Sequence, residues 1–181
     1  PLVPEFWGAV QVGGVLPMCE GNRVVGDATV VSIARAEHFS PEVLTFVLAA
    51  RLYCDFVDQA GTLPLSARLT NARLRLLEVY RAACVLPSLD SPEETNAPRV
   101  SRAEAWPGFE QYESYGEVFD PYVEDRPCMG RLSDDVLDVW ADLQPGLGLW
   151  SRGMYRASVW EWRFGFDAHW GEHAVDAVRA P

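Results

Sequence analysis

The sequence predicts an all-α protein: an irregular bundle of five to six helices over residues 39–181, preceded by a short extended or hairpin arm over residues 1–38. Three observations carry this. From Phe39 onward apolar residues recur at three- and four-residue intervals, the period of one helix face. Proline and glycine interrupt that pattern at ordinary helix lengths. A chain of 181 residues that is 49% apolar can bury one core of normal domain size.

The arm holds Gly8, Gly13, Gly14, Gly21 and Gly26 among Val10, Val12, Val24, Val25, Val30, Val31 and Ile33. β-branched residues between turn formers favour short strands over helix. The first helix should open at Ser40, a good N-cap, with Pro41 at the first helical position and Phe39 and Leu44 at staple spacing. It should run to about Asp58 on the stripe Val43, Phe46, Val47, Ala50, Tyr53, Cys54 and Val57. Gly61 and Pro64 make a loop. A second, antiparallel helix should span about 66–85, with Leu69, Ala72, Leu76, Val79, Tyr80 and Ala83 inward, until Pro87 stops it. Residues 88–104 have no period and read as a solvated link. A short helix over about 108–118 carries Phe109, Tyr112 and Tyr115. Ser133 should cap a helix over about 134–144 on the stripe Leu132, Val136, Val139, Trp140 and Leu143, which Pro145 and Gly146 break. The last helix should run from about Met154 to Val178.

The net charge is −11, and every one of the fifteen basic residues is arginine. Without lysine there is neither Schiff-base chemistry nor a P-loop. The acidic balance argues against nucleic acid or an anionic membrane as main partner, favours a protein with a basic surface, and leaves a homo-oligomer open. Cys19, Cys54, Cys84 and Cys128 form no CxxC pair and no zinc-ligand spacing, which suits a reducing cytoplasm. The longest apolar run, Phe46 to Ala50, is far too short to span a bilayer.

Two constellations could carry chemistry. Asp134-Asp135-Val136-Leu137-Asp138 is a DDxxD string, the spacing with which all-helical prenyl-diphosphate enzymes hold magnesium, and Asp134, Asp138 and Asp142 fall at i, i+4 and i+8. Without a metal, Asp134 and Asp135 sit in a first turn where the helix dipole favours anions, and the stripe is a solvated acidic face. The second constellation lies on the last helix. At 100° per residue, Tyr155, Val159, Trp162, Phe166, His169, Trp170 and His173 share one arc, widened by Trp160, Phe164 and Val178. Ser158, Glu161, Glu172 and Asp176 are left as the polar face. Arg163 and Asp167, at i and i+4, also point into the arc, where they can neutralise one another. Arg163, Asp167, His169 and His173 are therefore expected as buried polar residues of structural kind. His169 and His173 also have the spacing of a helical metal pair, completed only by a carboxylate from elsewhere in the chain. No GxSxG string or other nucleophile motif occurs, so no catalytic residue is assigned.

The strings Val118-Phe119-Asp120-Pro121, Leu132 through Leu143 to Gly146-Leu147, and Val159 through the His169-Trp170-Gly171-Glu172-His173-Ala174 segment to Ala177 resemble the bacterial domain-of-unknown-function family numbered 5063. Tyr53-Cys54 and Leu86-Pro87 are similar to its first half. The resemblance covers about residues 40–178, implies an all-helical bacterial domain, and names no activity.

The leading expectation is a non-enzymatic acidic bundle that binds another protein, of antitoxin, immunity or adaptor type, with no cofactor. The alternative is a divalent-metal-dependent hydrolase of a phosphorylated or nucleotide substrate. In it Asp134, Asp135 and Asp138 hold magnesium or manganese, and His169 or His173 acts as ligand or base.

Overall fold

The structure, a computed structural model, describes residues 15–20, 23–29, 39–91, 100, 101, 114–118, 122 and 128–180. The chain divides into two units, Pro1–His38 and Phe39–Pro181. In the first, β1 (Val15–Glu20) and β2 (Arg23–Thr29) form an antiparallel pair whose register slips between Met18 and Cys19.

The second unit is mostly helical. α1 (Pro41–Gln59) starts at the expected proline and buries the whole expected stripe from Val43 to Val57. A single 3-10 turn, Ala60–Thr62, leads to α2 (Leu65–Ala83). Arg68, on the first turns of α2, folds back to donate from Nε to the Leu63 carbonyl at 2.6 Å and from Nη2 to the Gly61 carbonyl at 2.9 Å. That guanidinium holds the loop that proline and glycine only permit. β3 (Ser114–Glu117) and β4 (Cys128–Arg131) pair antiparallel, with Tyr115 opposite Gly130. α3 (Leu132–Ser151) follows directly. The final column comprises α4 (Tyr155–Gly165), a π turn (Phe166–Trp170) and α5 (Gly171–Arg179). Gly165, Trp170 and Gly171 keep right-handed helical dihedrals, so the column is one rod.

The described residues thus form four rods, the last of them joining α4 and α5 through the π turn, where five to six separate helices were expected. The helix expected over 108–118 is a strand at 114–117, and 108–113 lie outside the described residues, as do most of the expected link and the arm's remaining positions. The expected break at Pro145 is also absent, for α3 continues through it to Ser151. Ser133 is not the cap either: the helix opens one residue earlier and Ser133 is fully buried.

Trp162 lies against the turn of α3 that carries the proline. Trp162, fully buried, donates from its indole nitrogen to the Leu143 carbonyl at 3.0 Å. Its ring lies so close to Gly146 that a Cβ there would sit 2.1 Å from Nε1. Phe46 of α1 packs on Trp162 with centroids 5.0 Å apart, and Trp170 donates to the Trp162 carbonyl at 3.2 Å. α1, α3 and the last rod therefore meet at one aromatic centre. Arg163 adds α2, donating to the Ala83 carbonyl at 3.2 Å where that helix ends.

Gly146→Ala should lower stability by about 1–3 kcal/mol, the usual cost of forcing volume into a filled core. Gly61→Ala, with nothing within 4 Å of the added carbon, should stay within about 0.5 kcal/mol. Urea midpoints of the two variants check this.

Candidate functional site

The last rod and α3 lie side by side, and their polar residues meet. On α3, Asp135, Asp138 and Asp142 fall at intervals of three and four and so share a face. His173 Nδ1 is 2.8 Å from Asp135 Oδ1, and His169 Nδ1 is 2.8 Å from Asp142 Oδ2. Between those two contacts stands Asp138, whose Oδ2 lies 3.8 Å from His173 Nε2. The imidazole rings face each other edge to face with centroids 4.7 Å apart. One ligand atom each from Asp138, His169 and His173 all fall within 4.8 Å of one another, so among the described residues these three could hold a metal.

A third layer fixes Asp135, which is buried. The Tyr115 hydroxyl donates to Asp135 Oδ2. The tyrosine reaches it from β3 by lying across Gly130, where a Cβ would come within 2.6 Å of the ring. A glycine opposite an aromatic on a two-stranded ladder is the opening the ring requires. From the other side, the Tyr53 hydroxyl of α1 donates to the Val136 carbonyl at 2.7 Å. Burial, with Cys54 and Asp135 nearby, pushes that phenol well above its usual range. Asp135 and His173 open onto a cavity of about 1030 Å3 between α3, the β3–β4 pair and the last rod.

Each residue singled out in the sequence can now be placed. Asp135 and Asp138 meet the histidines. Asp134 does not: it turns away to Arg131 at 3.8 Å. The acidic stripe is accordingly no solvated outer face, since it turns Asp135 and Asp138 inward. His173 is partly buried, as expected, but His169 has a side chain 51% exposed. Arg163 and Asp167 do pair, at 2.8 Å, yet Asp167 is 53% exposed, so the pair is not in the interior. Phe164 is exposed and Ser158, expected on the polar face, is fully buried.

The displacements of Asp167 and His169 have a common cause. A wheel drawn at 100° per residue assumes an α-helix throughout, whereas a π turn closes i→i+5 bonds and turns less per residue. Everything past Phe166 is therefore out of phase with the wheel. Gly171 makes the turn possible, for a Cβ there would lie 2.4 Å from the Phe166 carbonyl oxygen. Sequence reasoning missed Tyr115 because it was read as helix, and Gly130 because it was assigned to no element. Asp142 was legible as the i+8 member of the stripe.

What the fold and site define is a helical bundle with a histidine–carboxylate cluster between two rods. The chain belongs to the domain-of-unknown-function family DUF5063, whose family model matches residues 37–180. Among solved structures it is similar to protein BF1032 from Bacteroides fragilis, at 18% identity and a TM-score of 0.65, covering 78% of this chain and 90% of that one. That likeness shows the fold. The comparison with curated proteins finds no match. No helix among the described residues is long and apolar enough to cross a membrane.

Two predictions follow from the geometry. With its carboxylate half in water, Asp167→Ala should cost no more than about 1 kcal/mol, the range of an exposed ion pair, in chemical denaturation. For His173, the hydrogen bond it donates to Asp135 outweighs burial and raises the imidazole above its ordinary 6.5. A raised native value means the contribution is fully present below pH 6.5 and is lost as pH climbs through that native value. NMR titration should find His173 above the ordinary histidine range, and Asp135→Asn should return it and flatten the stability profile there.

Proposed function

We propose that this bundle is a binding module for a protein partner, which presents a basic segment to the cleft beside the histidine–carboxylate cluster. The charge of that cleft carries the reading. Among the described residues lining it are Asp134, Asp135, Asp138, Asp167, Glu172 and Asp176, against two guanidiniums, Arg131 and Arg179. Both cations are already engaged with carboxylates of the same wall, Arg131 with Asp134 and Arg179 with Asp176. A concave surface of one sign concentrates ligands of the other and speeds their encounter. An overall charge of −11 acts in the same direction at longer range.

An arginine-rich peptide titrated by fluorescence anisotropy should bind, with affinity falling steeply as salt rises. Combining Asp134→Arg with Glu172→Arg should weaken it at least about tenfold. Charge reversal at Glu78 on α2 should leave it unchanged. Equal binding of an acidic peptide would end the proposal.

A second reading, a divalent-metal-dependent hydrolase of a phosphorylated or nucleotide substrate, is favoured by the approach of Asp138, His169 and His173. Manganese-dependent turnover of p-nitrophenyl phosphate or a nucleoside triphosphate, lost in His173→Ala, would support it. Its absence with the metal bound would remove it.

A further inference from the structure

We propose that Asp138, His169 and His173 form a binding site for a single imidazole-preferring first-row transition ion of the zinc type, left open on the cleft side. The site underlies the hydrolase reading but does not require it, since ion binding is measured without any substrate.

The arrangement of the three α3 carboxylates carries the inference. The outer two, Asp135 and Asp142, each take the Nδ1 of one imidazole at 2.8 Å. With the ring proton held on Nδ1, each Nε2 is left with its lone pair. A histidine that donates its other nitrogen to a carboxylate is the standard second layer of a metal site, because it orients the ring and raises its basicity. The middle carboxylate, Asp138, stands 3.8 Å from His173 Nε2. That separation is too long for a hydrogen bond. It is near the roughly 3.4 Å between two ligands that share a tetrahedral ion at about 2.1 Å from each.

The backing of His173 extends a layer deeper, through Asp135 to the Tyr115 hydroxyl. A surface ion pair has no use for such a chain. His169, on the π turn, is the most exposed of the three ligands, and the three ligand atoms already lie within 4.8 Å of one another. Two imidazoles and one carboxylate favour zinc, cobalt or iron over magnesium, which takes oxygen ligands. Three protein ligands with Asp138 and His173 on the cleft wall leave a further position to water or a ligand.

The test is calorimetric titration of the tag-free chain with zinc and with magnesium, followed by cobalt absorption spectroscopy. Zinc should bind one to one, and cobalt should give the intense visible bands of a four- or five-coordinate site. Magnesium should show no competition. Because His173 also holds the buried Asp135, the exposed His169 decides. His169→Ala should keep the helical circular-dichroism spectrum and lose zinc affinity at least about tenfold, and Asp135→Asn should lose about 10–100-fold as a positioning change. Glu78→Gln, on α2 and outside the cleft lining, should bind as the parent does. Unchanged zinc affinity in folded His169→Ala, or magnesium competing equally, overturns the proposal.

Discussion

The rest of this bundle depends on a single indole. Trp162 is fully buried, its nitrogen satisfied by the Leu143 carbonyl and its ring lying where Gly146 has no side chain. A buried indole N–H without a partner is costly, and a large ring without a matching recess cannot be buried. Both requirements are met by one turn of α3, so the last rod can approach α3 closely only at that level. Phe46 packs on the same ring and Trp170 donates to the Trp162 carbonyl, which brings α1 and the end of the last rod to the same point. Fixing the approach of the rods there fixes, one and two turns away, which α3 carboxylates the histidines meet.

Outward from the aromatic centre the interactions become polar without losing order. Asp135 is shared by Tyr115 and His173, so a strand, a helix and the final rod converge on one carboxylate. Each partner relieves the cost of keeping a charge out of water. The β3–β4 pair is too short to be stable alone. It leads straight into α3, and its contribution is to deliver the Tyr115 hydroxyl across Gly130.

The helices themselves were legible because their stripes are long: all seven positions expected to face inward on α1 are buried. The family resemblance was legible in the tryptophan-rich end. The pairing of the DDxxD segment with the two histidines was visible only as two separate patterns, since nothing local says that residues 135 and 173 are neighbours. Pro145 misled because a helix breaker is a local rule, and α3 continues through it to Ser151 with Leu143, Gly146 and Leu149 buried on either side. Tyr115 misled because a four-residue strand has too few positions to show a period. The faces of His169 and Asp167 misled because the 100° wheel cannot represent a π turn.

That π turn also has a bearing on how such a site can arise. It amounts to one extra residue accommodated within a helix that continues on either side. Because its five residues rotate the chain about as far as four α residues, removing one residue from Phe166–Trp170 would leave a plain α-helix and keep the phase of everything after it. His173, Ala174 and Ala177 would hold their places, and the change would fall on the turn itself, where His169 stands. A lineage could therefore gain or lose a residue here through a single codon insertion or deletion while the packed contacts on either side stayed in register.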